Sequence, residues 1–283
     1  MLSKNDILGV MITYNPDSSV VKNINSLINQ VSDILIIDNG SNDESLKYIY
    51  DVKNKSNVKV IFNGSNMGIA YALNQGLSEA NRNKFKLILT IDQDSYLYSD
   101  CVDRMIKVLN KNNSLVSVGP NYNNKAFDYD LDYREVDSLI TSGNLTLTNK
   151  AISAGGYNSD LFIDGVDFDF SLALRKNQGK LAIVNNAKME HKLGENIKRS
   201  FIKKQINVSV HSPLRHYYMY RNHYYIMKKY FRLFTKFCIK KEIVMCKYFF
   251  EVLLIHPNKR ENFYMILKGV RHAIQNKYGK YTE

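Results

Sequence analysis

The chain has 283 residues, 45% apolar, 12% aromatic and 23% charged, with 14 Gly and 4 Pro. That is long enough to bury a sizeable core, and too apolar and too poor in Gly and Pro for a disordered or fibrous chain. Its net charge of +12 is unevenly held: residues 1–191 carry 19 Lys and Arg against 22 Asp and Glu, and residues 192–283 carry 20 against 5. In chain order, residues 7–13 (ILGVMIT) are a short apolar run stopped by Tyr14-Asn15-Pro16-Asp17, a buried strand ending in a turn. Val20, Val21, Ile24, Leu27 and Ile28 have helical spacing over 18–30. Residues 33–37 form a second strand, stopped by Asp38-Asn39-Gly40-Ser41, and Ser41 with Glu44 has the spacing of a capping box that opens another helix. A third strand at 58–62 leads through Asn63-Gly64-Ser65-Asn66-Met67-Gly68 into a helix over 69–80. The fourth strand, 87–91, ends at Asp92-Gln93-Asp94-Ser95. Short apolar strands alternating with helices predict an α/β fold, a mostly parallel sheet with helices on both faces. Residues 121–137, polar and acidic, read as a mobile loop, and residues 181–184 as a strand.

Three cysteines, Cys101, Cys238 and Cys246, have no metal-ligand spacing; their odd number argues against a disulfide framework and for a reducing compartment. The N-terminus lacks the pattern of a secretory signal, and no run reaches 18 apolar residues, so no membrane span is expected.

Each of the four strands ends in a turn rich in Asn, Asp, Gly and Ser. In an open parallel sheet that edge is where ligands bind, although turns use the same residues on their own account. Asp92-Gln93-Asp94 is the sharpest of the four. Two carboxylates one residue apart, just past a buried strand, can reach one hard cation and the phosphate it carries, which suits Mg²⁺ or Mn²⁺. Phosphatases with an aspartyl nucleophile also place Asp-x-Asp after a strand, but normally the first one.

The succession Thr13-Tyr14-Asn15, Asp38-Asn39-Gly40-Ser41-Asn42-Asp43, Asn66-x-Gly68-x-Ala70 with Asn74-x-Gly76, and Asp92-Gln93-Asp94 resembles a family 2 inverting glycosyltransferase. Further on, Phe162-Ile163-Asp164-Gly165-Val166-Asp167-Phe168-Asp169, Arg175 and His191-Lys192-Leu193-Gly194 resemble the bacterial rhamnosyltransferase branch. The resemblance covers roughly residues 7–230. It implies a GT-A fold with a Rossmann-like sheet: a catalytic domain over 1–200, its nucleotide-sugar half about 1–95 and acceptor half about 96–200, then a basic helical extension over 201–283. It implies a nucleoside-diphosphate sugar donor (dTDP-rhamnose or a UDP-sugar), Mg²⁺ or Mn²⁺, and a lipid-linked glycan acceptor on a growing surface polysaccharide.

Carried over residue by residue, Thr13, Tyr14 and Asn15 match the loop that meets base and ribose, and Asp38 the acidic contact to the base. Asn66 and Gly68 match the loop near the ribose and phosphates. Asp92 matches the ribose or metal-bridging carboxylate and Asp94 the direct metal ligand, with His191 approaching the diphosphate or metal. Asp167 falls where the family has its catalytic base. Most members read Glu-Asp there and this chain reads Val166-Asp167, so Asp164 is the alternative base. Ser142-Gly143-Asn144 resembles the segment facing donor sugar and acceptor; an ordinary turn is its other reading.

Residues 201–250 interleave basic residues with tyrosines and phenylalanines. Three readings stand: helices packing their aromatics into a core, a helix on an anionic membrane surface, or nucleic-acid binding. The last is disfavoured, because no helix-turn-helix, RRM or zinc pattern is present. The expected place is the cytoplasmic, inner face of the cell membrane, with a homo-oligomer left open. Two functions of different class remain: the metal-dependent transferase, of rhamnose or of a UDP-hexose, and a nucleotide- or nucleic-acid-binding α/β protein without transfer chemistry. A binder needs no base at Asp167.

Overall fold

In the computed structural model, which describes residues 1–122, 131–191, 196–201 and 204–282 (196–209 by backbone alone), the first apolar run is strand β1 (Ile7–Thr13). There follow α1 (Ser19–Leu27), β2 (Asp33–Asp38), α2 (Asp43–Tyr50), β3 (Val58–Phe62), α3 (Ile69–Arg82) and β4 (Leu87–Asp92). β1 pairs in parallel with β2 on one side and β4 on the other, and β3 pairs in parallel with β2. All seven residues of β1 are buried because helices cover both faces. Ile7 and Met11 join a core cluster with Val20 and Ile24 of α1 and Ile49 of α2. Val10 points the other way, onto α3, where a Cβ on Gly76 would lie 2.5 Å from a Val10 methyl. The expected capping box is displaced by one residue. Asn42 caps α2, its side chain accepting from the Ser45 amide at 2.9 Å, because the Ser41 hydroxyl is turned to Asp38.

Past β4 the sheet becomes mixed. Its later elements are β5 (Ser95–Leu97), α4 (Cys101–Lys111), β6 (Leu115–Tyr122), β7 (Tyr133–Val136), β8 (Asn144–Leu147), α5 (Thr148–Ser153), α6 (Val166–Lys176) and β9 (Lys180–His191). The strand order is β3-β2-β1-β4-β8-β6-β9-β5, with β7 also on β9. β8 is antiparallel to β4 and β6, and β5 and β7 are antiparallel to β9. The segment expected to be a mobile loop therefore contains a strand: Tyr133–Val136 pairs along Leu181–Val184. Residues 123–130 of that segment, and Lys192-Leu193-Gly194 of the family-like motif, lie outside the described residues.

A glycine is required where α3 begins. Gly68 has φ +88°, and a Cβ there would lie 2.8 Å from the Phe162 carbonyl oxygen, which accepts the Ile69 amide at 2.8 Å. Gly68→Ala is expected to cost about 1–3 kcal/mol of stability in urea unfolding, from strain and the crowded carbonyl together. An unchanged midpoint would contradict this.

The chain divides into two compact units, Met1–Phe162 with Val166–Lys192, which holds this sheet, and Ile163–Gly165 with Leu193–Glu283. The second contains a hairpin, β10 (Asn196–Phe201) and β11 (Lys204–Ser209), and three helices, α7 (Pro213–Tyr230), α8 (Thr235–Ile255) and α9 (Lys259–Ile274). The tyrosines of α7 are largely spent on this unit's own core: Tyr217, Tyr218 and Tyr230 are buried. The buried Arg221 guanidinium lies 5.4 Å and 4.9 Å from the Tyr217 and Tyr218 ring centroids and donates to the Gly279 carbonyl at 2.7 Å. Buried His216 ties the three helices together, with Nδ1 at 3.2 Å from Asn262 Oδ1 and Nε2 at 3.0 Å from the Tyr248 hydroxyl. Among the described residues, no helix is long and apolar enough to cross a membrane.

Candidate active site

β4 delivers Asp92 as its last residue, and Asp94 follows at the turn into β5. The antiparallel pairing of β5 with β9 sets Ser95 opposite His191 and so brings the imidazole, 97 residues on in sequence from Asp94, to the same edge. Ligand atoms of Asp92, Asp94 and His191 all lie within 4.8 Å of one another, and His191 Nδ1 is 3.5 Å from Asp94 Oδ1. Polar side chains hold this group from behind. The Ser95 hydroxyl is 2.7 Å from His191 Nδ1 and 2.7 Å from the Ser142 hydroxyl, which in turn accepts the Asp92 amide at 3.1 Å. The Gly143 amide donates to the Thr90 carbonyl at 2.8 Å, fixing the Ser142 turn to β4.

Negative charge gathers at this edge. Burial, together with the neighbouring carboxylates of Asp94 and Asp167, pushes the Asp92 carboxyl up to about 7. Asp94 Oδ1 is buried and accepts no hydrogen bond from the described residues. Two carboxylates and an imidazole, with one carboxylate oxygen lacking a donor, form a donor set that fits Mn²⁺ or Mg²⁺.

The Asp92 shift has a definite sign. Without a cation the folded chain holds this proton more tightly than the unfolded chain, whose ordinary value is 3.8. The group's contribution to stability is therefore fully present below 3.8 and is lost as pH rises through about 7. Because a ligand carboxylate must be deprotonated, Mn²⁺ should raise the thermal midpoint more at about pH 8 than at about pH 6. Equal Mn²⁺-induced shifts in a pH-jump melting series would contradict this.

Asp167 opens α6, where its Oδ1 accepts the Phe168 amide at 2.9 Å, and it is close enough to Asp92 to raise that carboxyl. Asp164, the alternative base, belongs to the helical unit. Its carboxylate is ion-paired there with Arg215, at 3.2 Å to Nη2 and 3.3 Å to Nε. Burial raises the Asp164 carboxyl, and the guanidinium opposes that rise.

The first nucleotide loops are wired to one another. Asp38, expected to contact the base, is buried, and its carboxylate is already committed: it accepts from the Thr13 hydroxyl at 3.0 Å, the Gly40 and Ser41 amides at 3.1 Å and 3.0 Å, and the Ser41 hydroxyl. Asn15 and the 41–42 turn exchange hydrogen bonds, Asn15 amide to Ser41 hydroxyl at 2.8 Å and Asn42 amide to Asn15 Oδ1 at 2.9 Å. Asn66 caps its own loop, its Oδ1 accepting from the Gly68 amide at 2.9 Å and from Asn39 Nδ2 at 3.1 Å. Asn144 turns into the sheet, its Oδ1 accepting from the Ser117 and Thr146 hydroxyls at 2.5 Å and 2.6 Å. Of the Ser142-Gly143-Asn144 segment, Ser142 is thus the side chain joined to the carboxylate edge.

Sequence reasoning missed Gln93, Asn23 and Ser95. Gln93 links the Asp-x-Asp turn to the first loop in both directions, accepting the Tyr14 amide at 2.8 Å and donating to the Tyr14 carbonyl at 3.2 Å. Asn23 donates to the Gln93 carbonyl at 2.7 Å. A glutamine between two aspartates was one available signal, and an asparagine on the apolar stripe of α1 was another.

Comparison with known proteins agrees with this geometry. The family described as Glycosyl transferase family 2 matches residues 10–162. A dTDP-rhamnosyl transferase, RfbF, of Shigella flexneri is 27% identical over 248 residues, which are 79% of this chain and 80% of that protein. A poly-beta-1,6-N-acetyl-D-glucosamine synthase of Staphylococcus epidermidis is 29% identical over 122 residues, 41% of this chain and 29% of that one. Among solved structures, GalNAc-T7 with UDP, GalNAc and Mn²⁺ has a TM-score of 0.60 at 16% identity, covering 78% of this chain and 47% of its own. S. aureus TarS 1-349 in complex with UDP-GlcNAc has a TM-score of 0.55 at 14% identity, covering 94% and 72%. These likenesses identify the sheet as the GT-A arrangement, with helices following it at the C-terminal end. With the match spanning more than half of its residues, the chain belongs to glycosyl transferase family 2.

Proposed function

We propose that this enzyme moves a sugar, L-rhamnose by first choice, from a nucleoside-diphosphate donor to a hydroxyl of a growing, lipid-linked bacterial surface polysaccharide, with inversion. The observation that carries the reading is the meeting of Asp92, Asp94 and Asp167 at one sheet edge, where burial first, and then the two neighbouring carboxylates, raise the Asp92 carboxyl to about 7. A non-catalytic nucleotide binder has no use for the third carboxylate. Rhamnose and the dTDP nucleotide are supported by the Shigella relative, which matches along most of both chains.

Asp92, Asp94 and His191 would hold the Mg²⁺ or Mn²⁺; when bound, it neutralises charge developing on the departing diphosphate. Asp167 accepts the proton of the attacking acceptor hydroxyl as that oxygen bonds to the anomeric carbon and the bond to the diphosphate breaks. Thr13, Tyr14 and Asn15 receive the base and ribose, and Asn66 and Gly68 line the approach to the phosphates. Asp38 contributes by shaping its loop, since its oxygens are occupied within it. Ser142 sets the Asp92 backbone and the sugar-facing turn. Holding donor and acceptor together at one edge replaces a bimolecular encounter with an oriented one.

The enzyme works at the cytoplasmic face of the cell membrane, where its acceptor is presented, drawn there by the +15 balance of residues 192–283. A UDP-hexose donor is the second reading, suggested by the neighbour solved with UDP-GlcNAc. A donor screen tests the choice: release of nucleoside diphosphate from dTDP-rhamnose and a panel of UDP-sugars by the purified protein with Mn²⁺. Fastest turnover of dTDP-rhamnose is expected; preference for a UDP-hexose would replace the sugar, and turnover of none would remove the reading.

A further inference from the structure

We propose that α8 lies in the plane of an anionic membrane, with Ile239, Ile243, Phe250 and Leu254 sunk among the lipid headgroups. The helix has 21 residues and buries only Phe237, Cys238 and Val252. Its outer side is not the polar face that a packed surface helix turns to water. Those four apolar side chains are 48% to 61% exposed, and steps of four, seven and four residues place them on one stripe. Exposed Lys236, Lys240 and Lys247 line one edge of the stripe, about 60° to 100° around the helix from Ile239 at 100° per residue, and Glu242 lies at the other edge.

The two carboxylates of α8 are engaged within the helical unit. Glu242 Oε2 lies 2.7 Å from His223 Nε2, and Glu251 Oε1 lies 3.6 Å from His256 Nε2. Four lysines, Lys236, Lys240, Lys241 and Lys247, outnumber these two partly exposed carboxylates, so the net charge of α8 is positive. An apolar stripe edged by lysines is the pattern of a helix that rests at the headgroup boundary and lets its basic side chains reach the phosphates. A second copy of this chain is the poorer occupant, because pairing α8 with itself would set lysines against lysines. α9 exposes Tyr264, Leu267 and Ile274 beside basic Arg271, so the same chemistry recurs on the neighbouring helix.

This deepens the membrane attachment proposed above and rests on it. Attraction by charge alone disappears as salt shortens the screening length, whereas buried apolar side chains keep their hold. The chain contains no tryptophan, so the Phe250→Trp variant carries a single emitting indole on the stripe. With vesicles of phosphatidylglycerol and phosphatidylethanolamine, its emission should shift to the blue, be quenched by bromines on the lipid acyl chains, and stay shifted at high salt. A Tyr50→Trp control, exposed on α2, should respond to neither. The double variant Ile243→Ser, Phe250→Ser, with an unchanged melting midpoint, should lose at least about tenfold in high-salt vesicle affinity. Binding that salt abolishes, with no spectral shift, would leave the charge-driven attachment standing and overturn the α8 inference. A blue shift without vesicles that grows with protein concentration would assign the stripe to a second copy and also overturn it. Donor turnover in solution, measured on the wild-type protein, tests the transferase reading separately.

Discussion

Asp94→Ala is expected to abolish Mn²⁺-dependent donor turnover while leaving the fold intact. Asp94 Oδ1 is a buried acceptor with no donor among the described residues, 3.5 Å from His191 Nδ1, so its loss removes a proposed cation ligand and no hydrogen bond seen among those residues. It also removes one of the two carboxylates that add to burial in raising Asp92 to about 7. The sign follows from linkage: a carboxyl raised by burial and by its neighbours opposes folding as it ionises, so removing one neighbour partly relieves the metal-free protein above that pH. Asp94→Ala should therefore melt no earlier than wild type at about pH 8 in EDTA, and gain nothing from added Mn²⁺. Loss of activity joined to unimpaired stability marks a site residue rather than a structural one. Undiminished metal-dependent turnover would remove Asp94 from the cation site.

Asp167→Asn should bind donor nearly as well as wild type and transfer it at least about 10²-fold more slowly, the low end of general-base contributions. The amide fills the same volume and still accepts the Phe168 amide through its oxygen, so α6 keeps its start. What it cannot do is take a proton from the acceptor hydroxyl. Asp164→Asn should behave differently, because that carboxylate is paired with Arg215. Its loss leaves a guanidinium without its partner and should appear as reduced stability rather than as a pure loss of turnover. Donor KM and kcat measured for both variants, together with their melting midpoints, separate the roles. Normal transfer by Asp167→Asn with lost transfer by Asp164→Asn would reassign the base.

The parallel half of the fold was legible because its signals are local. Each of β1 to β4 is one apolar run stopped by turn residues, and burial on both faces needs nothing from distant sequence. The Asp-x-Asp turn inherits its position from the strand before it. The mixed half was less legible because its order depends on pairing. β7 is polar and half exposed, and only β9 makes it a strand; β5 is three residues long and is set by the same partner. Side-chain commitments were harder still. Nothing in Asp38-Asn39-Gly40-Ser41 says that the carboxylate folds back on its own turn, or that Ser41 serves Asp38 while Asn42 caps α2. In the tail, charge and aromatic content left core packing and a membrane surface both open for the whole stretch. The tyrosines of α7 build a core around Arg221, and α8 carries an exposed apolar stripe.

The edge carrying Asp92, Asp94 and His191 is proposed to bind a nucleoside diphosphate through a divalent cation. Calorimetric titration of dTDP and UDP into the wild-type protein, once with Mn²⁺ and once with EDTA, tests it most directly. One of the two nucleotides should bind with Mn²⁺, binding should vanish in EDTA, and Asp94→Ala should bind neither. Equal affinity with and without the cation, or no binding of either nucleotide, would contradict the account.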